Sequence, residues 1–434
     1  MSVATMFTEF IANLAIANTE TISTRYGELT AALNKAFRDT ESKTANTIQV
    51  GSFGRTTGIN GISDLDMLYI MPKSKWGTYE NDKQLKLLQD VRSAILNRYP
   101  RTDVRVDRLV VTATYTDFHI EVQPVFEQDD GSFKYPDIKN GGSWKITKPR
   151  PEMEAVSKLD SRTNSNLKRL CKMARAWKNK HGVGMGGLLI DTLCYNFMSS
   201  TIEYDMKSFL YYDYLSRDFF NYLSELPEQD RYDAPGSKQH VKVTKPFQRK
   251  AKKAYRLCLA AIDAEEHKGV NDRWKKIYGR TFPASIELVK ESAPASSAVT
   301  WGDTEEFIED RYPIDIRYAL KIDCDVKQNG FREHRLSEMI AKMIPLLAKK
   351  TLEFEIVYID VPGDYSIEWK ILNRGEEARK RNKIRGQIVP DAGRHRKSEP
   401  TQFKGDHIVE CYAIKSGVVV AKDRIHVPIS TNGE

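Results

Sequence analysis

The sequence predicts a mixed α/β (α+β) N-terminal core, a helical second lobe and a C-terminal, mainly-β domain of sandwich type. Three observations carry that expectation. Helix-spaced apolar stripes are interspersed with short β-rich runs over the first 150 residues, the texture is helical from there to about residue 290, and beyond a polar, Pro-containing stretch the pattern turns to period two. At 434 residues, 40% of them hydrophobic, the chain is long enough for two or three cores, because single cores rarely grow past roughly 250 residues.

Phe10, Ile11, Leu14, Ile22, Tyr26, Leu29, Leu33 and Phe37 recur at three- and four-residue steps, which predicts a long amphipathic helix or a helix pair bracing a sheet. Ile48-Gln49-Val50 runs into a Gly51-Ser52 turn, and Leu65 to Ile70 is a short apolar strand. Leu85, Leu88, Val91, Ile95 and Tyr99 stripe a further helix, which Tyr99-Pro100 ends. Val110 to Tyr115 and Phe118 to Phe126, rich in β-branched and aromatic residues, read as strands. Gln128 to Pro151, rich in Gly, Asp and Pro, reads as a loop.

In the second lobe Leu167, Leu170, Cys171, Ala174 and Trp177 stripe one helix face, with Lys168, Lys172 and Arg175 on another, and Leu188 to Phe197 reads as a buried helix. A polar break at Asp230 to His240 reads as a surface loop. Glu291 to Thr304 has the composition of a linker. Strands are expected at Ile316 to Val326, Leu352 to Val361, Tyr365 to Leu372, His407 to Lys415 and Val418 to Val427, with one helix around Leu336 to Leu347. The expected domains are therefore 1–150, 151–295 and 296–434.

No stretch approaches the ~18 apolar residues of a membrane span, and the N-terminus lacks a basic region followed by an apolar block, so a cytoplasmic protein is expected. Five scattered cysteines without CxxC spacing suggest neither a zinc ribbon nor a disulfide framework. The net charge of +8 suits polyanionic or nucleotide partners and plain solubility alike.

Asp64 and Asp66 open the apolar strand two positions apart, so both carboxylates share a face while Leu65 and Met67 point to the other. About 7 Å apart along the strand, they repel unless a cation lies between them, and a pair of divalent ions ~3.5 to 4 Å apart resolves the repulsion. In FHIEVQPVF, Glu121 projects from the polar face of the next strand and is the candidate third ligand; Asp117 and Glu127, nearer the strand ends, are the alternatives. His119 shares that polar face and is read as a hydrogen-bonding neighbour at the edge of the site. Hard oxygen ligands suit Mg²⁺. Gly51 and Ser52 supply N–H groups and a hydroxyl for phosphate, Gly allowing close approach, and Arg55 is a further candidate for phosphate or base, or for a surface ion pair.

Val50-Gly51-Ser52 followed by Asp64-Leu65-Asp66-Met67 resembles the signature of the polymerase-β-like nucleotidyltransferases. That spacing, with FHIEVQPVF and NLKRLCKMARAWKNKHG, resembles the bacterial cyclic-oligonucleotide synthases (CD-NTases), relatives of cyclic GMP-AMP synthase and oligoadenylate synthase. This resemblance covers roughly residues 1–290. Trp369-Lys370, Asn373-Arg374-Gly375, Arg385-Gly386 and Gly405-Asp406-His407, in that order, resemble the adenylyl/guanylyl-cyclase and SMODS C-terminal sensor domain.

The resemblance implies two Mg²⁺ ions, or Mn²⁺ in their place, on Asp64, Asp66 and Glu121. It implies ATP and GTP as substrates, and a cyclic di- or trinucleotide that acts on a separate effector in anti-phage (CBASS) signalling. Relatives grip the triphosphate with a lysine two residues before an aromatic on the helix after the core sheet. That position here is Arg175, and Lys172 lies one turn earlier, so the assignment is split between them. Many relatives also carry Asp where this chain has Glu121. A linear oligoadenylate synthase, an RNA- or small-molecule-directed nucleotidyltransferase, and an inactive nucleotide sensor are the competing readings. The basic run Arg249 to Lys253 is read as a solvated helix face, with nucleic-acid activation as its alternative. Arg374 to Arg396 is the stretch where a regulatory ligand or protein is expected.

Overall fold

The computed structural model describes residues 2–61, 64–264, 269–284, 305–328, 333–373, 376–380, 385–401 and 405–430. The linker expected at Glu291 to Thr304, with Arg374 and Gly375, lies outside the described residues. Two compact units emerge, one of Met1–Trp177 with Gly187–Ser285, the other of Lys178–Gly186 with Ile286–Glu434. No helix among the described residues is long and apolar enough to cross a membrane. All five cysteines are buried and free.

The first unit opens with a helix pair, α1 (Val3–Asn13) and α2 (Thr19–Arg38). The side chain of Ser2 caps α1 by accepting from the Thr5 N–H at 3.2 Å. Strand β1 (Thr47–Gln49), the four-residue helix α3 (Gly51–Gly54) and strand β2 (Asp64–Ile70) come next. After the short α4 (Trp76–Tyr79) come α5 (Gln84–Arg98), β3 (Asp103–Val106), β4 (Val111–Thr114), β5 (His119–Glu127), β6 (Phe133–Asp137) and β7 (Ser143–Thr147). The sheet order is β1-β2-β5-β4-β3, with β6 bridging β5 and β7; β2 and β5 run parallel, the other paired neighbours antiparallel.

One face of the sheet is sealed by helices. Leu65, Met67 and Tyr69 of β2 and Ile120 and Val122 of β5 share a buried cluster with Ile22, Leu29 and Leu33 of α2 and Leu88, Val91 and Ile95 of α5. Each such side chain contributes roughly 1.5–3 kcal/mol on burial. A one-residue slip of β2 would exchange this set for Asp64, Asp66 and Leu68, so the apolar face fixes the register that points both carboxylates the other way.

The helical lobe comprises α6 (Pro149–Arg162), α7 (Asn166–His181), α8 (Gly187–Ser200), α9 (Tyr212–Glu225), α10 (Gln248–Ile262) and α11 (Val270–Tyr278). The sheet-bracing role expected of the N-terminal pair falls to α2 alone. Phe7 and Phe10 of α1 instead join Tyr212, Trp274, Tyr278 and Phe282 of the helical lobe, with ring centroids 5.1 Å apart for Phe7 and Trp274 and 4.7 Å for Phe10 and Tyr278.

Two expected loops contain strands. Within Gln128 to Pro151, β6 and β7 pair antiparallel, tied by Asp137, whose carboxylate accepts from Arg108 Nε and Nη2 at 2.7 and 2.5 Å and pairs with Lys145 at 2.6 Å. The Asp230 to His240 break contains the hairpin β8 (Arg231–Asp233) and β9 (His240–Lys242).

The second unit is the expected mainly-β domain. One sheet, in order β11-β10-β13-β16, joins His334–Arg335, Leu320–Lys327, Thr351–Ile359 and Arg396–Pro400. The other, β12-β18-β17-β14-β15, joins Leu346–Leu347, Val418–Ser430, Gly405–Lys415, Ser366–Leu372 and Ile388–Pro390. Cys324 and Phe354 of the first sheet and Trp369, Cys411 and Ala421 of the second share one core. The helix expected over Leu336 to Leu347 is shorter, Leu336–Ala341, and the chain then pairs as β12 with β18. Segment Lys178–Gly186 is bound into this unit: Lys178 Nζ donates to Asp315 Oδ1 at 2.7 Å, and Asn179 donates to the Ile314 carbonyl at 2.7 Å and accepts from the Ile316 N–H at 3.1 Å.

Candidate active site

The parallel pair β2–β5 builds the site. Its register sets Asp64 opposite His119 and Asp66 opposite Glu121, so three carboxylates and one imidazole form a square on the face away from α2 and α5. Asp64 and His119 are each 7% exposed, and the Glu121 side chain is 27% exposed. His119 Nε2 abuts Asp64 Oδ1 and lies 4.0 Å from Glu121 Oε1. One ligand atom from each of Asp64, His119 and Glu121 falls within 4.8 Å of the others. Burial pushes the His119 pKa down, toward the neutral imidazole, against the pull of the Asp66 charge.

The expected Gly51-Ser52 turn is the start of helix α3. Val50 N–H donates to the Asp66 carbonyl at 3.0 Å, fastening the turn to β2. Gly51 has φ +65°, and a Cβ built on it would stand 1.7 Å from Asp66 Oδ2. Only glycine lets the Asp66 carboxylate lie over this backbone. A Cβ on Gly54 would meet the Gln49 carbonyl oxygen at 2.2 Å, which holds α3 equally close to β1. The first N–H groups of a helix lack intrahelical acceptors, and the start of α3 at Gly51 packs directly against the Asp66 carboxylate.

Arg55 and Arg175 are also brought together, around a residue that sequence reasoning missed. Asp191 of α8, fully buried, accepts from Arg55 Nε at 2.8 Å, Thr57 Oγ1 at 3.0 Å and Arg175 Nη1 at 2.6 Å. Arg175 also donates to the carbonyls of Gly187 and Cys171. Both arginine side chains are only 6% exposed. Burial alone would raise the Asp191 pKa, but Arg175 and then Arg55 hold it down at about 2. Asp191 in the apolar run LLIDTLCYNF was the available signal, since a carboxylate inside a buried helix demands cationic or hydrogen-bonding partners.

Lys172, half-buried one turn before Arg175, lies among Lys168, Arg169 and Arg175 with Asp160 as the balancing carboxylate. Burial first, then the charges of Lys168 and Arg175, push its pKa down. Of the alternative third acids, Glu127 pairs with Arg150 at 2.5 Å and Asp117 is exposed in the turn before β5.

Both ends of the chain match known families. Residues 1–160 match the Second Messenger Oligonucleotide or Dinucleotide Synthetase (SMODS) domain, and residues 302–430 match the Adenylyl/Guanylyl and SMODS C-terminal sensor domain. A probable cyclic nucleotide synthase of Bacillus cereus (strain VD146) is 22% identical over 279 residues, covering 55% of this chain and 82% of that protein. The cyclic AMP-AMP-AMP synthase of an Acinetobacter species is 23% identical over 260 residues, 56% of this chain and 74% of that one. Among solved structures, the Bradyrhizobium diazoefficiens CD-NTase in complex with GTP aligns at a TM-score of 0.49 and 10% identity, over 67% of this chain and 98% of that one. With both domains matched in order, the chain carries a SMODS synthetase domain followed by the SMODS C-terminal sensor domain, and together with these relatives this supports a nucleotidyltransferase of the cyclic-oligonucleotide synthase (CD-NTase) type.

Proposed function

We propose that the protein is a Mg²⁺-dependent synthase that joins ATP, GTP or both into a cyclic di- or trinucleotide, with Asp64, Asp66 and Glu121 holding the metal. The observation that carries this reading is the set of three carboxylates on one face of a parallel strand pair, one of them seated over a glycine that cannot bear a side chain. Such an all-oxygen set suits Mg²⁺, which when bound neutralises triphosphate charge and acidifies an acceptor hydroxyl. The acceptor ribose oxygen bonds to the α-phosphorus of the donor nucleotide and pyrophosphate departs; the same exchange at a further hydroxyl closes the ring.

Gly51 and Ser52 offer N–H groups to the phosphates, and Lys172 supplies the side-chain cation for the triphosphate tail. Arg55 and Arg175 serve the same site through Asp191, the first from the loop after α3 and the second from α7, and so hold the phosphate-binding turn to the helical lobe. The product acts on a separate effector in anti-phage signalling within the cytoplasm, and the C-terminal domain takes the ligand or protein that regulates synthesis.

Incubation with radiolabelled nucleoside triphosphates and Mg²⁺, followed by phosphatase and nuclease P1, tests the reading. A phosphatase-resistant product is expected; one that loses its terminal phosphate marks a linear oligonucleotide instead. Asp64→Ala with Asp66→Ala is expected to abolish product while leaving the circular dichroism spectrum unchanged, and undiminished synthesis by that variant would sink the metal assignment.

A further inference from the structure

We propose that the imidazole of His119 is itself a metal ligand, so that one cation is held by two carboxylates and a nitrogen and the site favours Mn²⁺ over Mg²⁺. The inference rests on the metal reading above and assigns a different donor set within it. Of the four side chains on the square, the three whose ligand atoms converge are Asp64, His119 and Glu121. Asp66 is directed elsewhere, its Oδ2 occupying the place a Cβ on Gly51 would take.

His119 reaches this position by the same strand register that places the acids. It is opposite Asp64 across the parallel pair and two residues before Glu121 on β5, so its side chain shares the carboxylate face. It is 7% exposed and its Nε2 points at Asp64 Oδ1, which makes it part of the wall of the site and not a solvated neighbour. Carboxylate oxygens suit Mg²⁺ and Mn²⁺ alike, whereas a nitrogen donor adds affinity for a transition ion such as Mn²⁺ and little for hard, oxygen-seeking Mg²⁺. Replacing one oxygen by Nε2 therefore shifts preference toward Mn²⁺ without disturbing Asp66, which remains available to a second ion or to the substrate-bearing one.

The test uses the full chain without nucleotide. Mn²⁺ is titrated in and its electron spin echo modulation recorded, on protein with natural-abundance and with ¹⁵N-labelled histidine. The wild type is expected to show directly bound nitrogen whose signature changes with the label, and Mn²⁺ binding tighter than Mg²⁺. His119→Asn, of similar size, is expected to lose the nitrogen signal and to weaken Mn²⁺ by at least about tenfold, the loss seen even for residues that only hydrogen-bond a ligand, while Mg²⁺ affinity falls less. Mn²⁺ bound in an Asp64-dependent way but without nitrogen coupling in the wild type overturns the inference, whatever the variant does, and leaves the carboxylate reading standing. Absence of any binding that depends on Asp64 or Glu121 overturns both.

Discussion

Replacing Asp191 by alanine tests the clamp between the turn that follows Val50 and the helical lobe. The substitution removes the acceptor of three hydrogen bonds, from Arg55, Thr57 and Arg175, and leaves two guanidiniums with side chains 6% exposed and no carboxylate. Breaking one buried ion pair costs about 3–5 kcal/mol, because the remaining charge has lost both water and partner; with two such charges the upper end of that range is expected. Urea unfolding at pH 7, read by the fluorescence of the buried Trp177 on α7, measures it. The pH dependence has a definite sign. The Asp191 pKa is depressed to about 2 from an unfolded value near 3.9, so its contribution, roughly 2–3 kcal/mol, is fully present above the unfolded value. It fades as pH falls toward 2. Wild type and Asp191→Ala should therefore differ by a constant amount from pH 7 to about 5, and the gap should narrow by roughly 2–3 kcal/mol as pH falls below 4. Activity should show the same clamp: amide exchange at Arg55 to Gly58 speeds up and the KM for nucleotide rises. A loss under about 1 kcal/mol, or a gap that does not narrow in acid, refutes the reasoning.

Gly51→Ala should lower synthesis by about a hundredfold, the scale of an ångström-sized misplacement at a reacting centre, since its Cβ must displace the Asp66 carboxylate. Its melting temperature should fall only modestly, by the ~1–2 kcal/mol cost of a side chain at positive φ. Lys172→Met should raise the KM for nucleotide about tenfold or more, the worth of one charge-assisted hydrogen bond, with a smaller effect on kcat; steady-state pyrophosphate release separates the two. Asp315→Ala removes the carboxylate paired at 2.7 Å with the Lys178 ammonium, whose side chain is 1% exposed, and should cost about 1–3 kcal/mol in thermal or urea unfolding.

Much of the site was legible because period two is a local property. The alternation Asp64-Leu65-Asp66-Met67 and that of Ile120-Glu121-Val122 tell which side chains share a face before anything is known of the partner strand. What the alternation could not say is that β2 and β5 are neighbours, since their pairing closes over β3 and β4 and the intervening helices. The expected loop after Gln128 hid β6 and β7 because Gly, Asp and Pro dominate its composition; β6 carries Pro136 inside its run, a residue that argues against a strand. Arg55 and Arg175 were singled out as phosphate candidates, and charge alone could not reveal that both are bound to Asp191. Their partner lay in a helix whose apolar character drew attention away from its one acid. His119 reads from the sequence as an edge residue, because nothing in one strand's sequence discloses that the neighbouring strand sets Asp64 directly opposite.

The parallel pairing of β2 with β5 also dictates when, during synthesis, the candidate site can first be complete. Antiparallel neighbours can zip from a tight hairpin, whereas parallel strands wait for a long crossover to be laid down. Here the two halves of the candidate site are 55 residues apart in register, Asp64 to His119 and Asp66 to Glu121, and the Asp191 clamp comes later still on α8. A nascent chain on the ribosome holds Asp64 and Asp66 before their partner strand has been made, and a proteolytic fragment ending before Asp191 leaves the turn at Gly51 without its anchor in the helical lobe. The site therefore becomes whole only once the chain has been synthesised through α8.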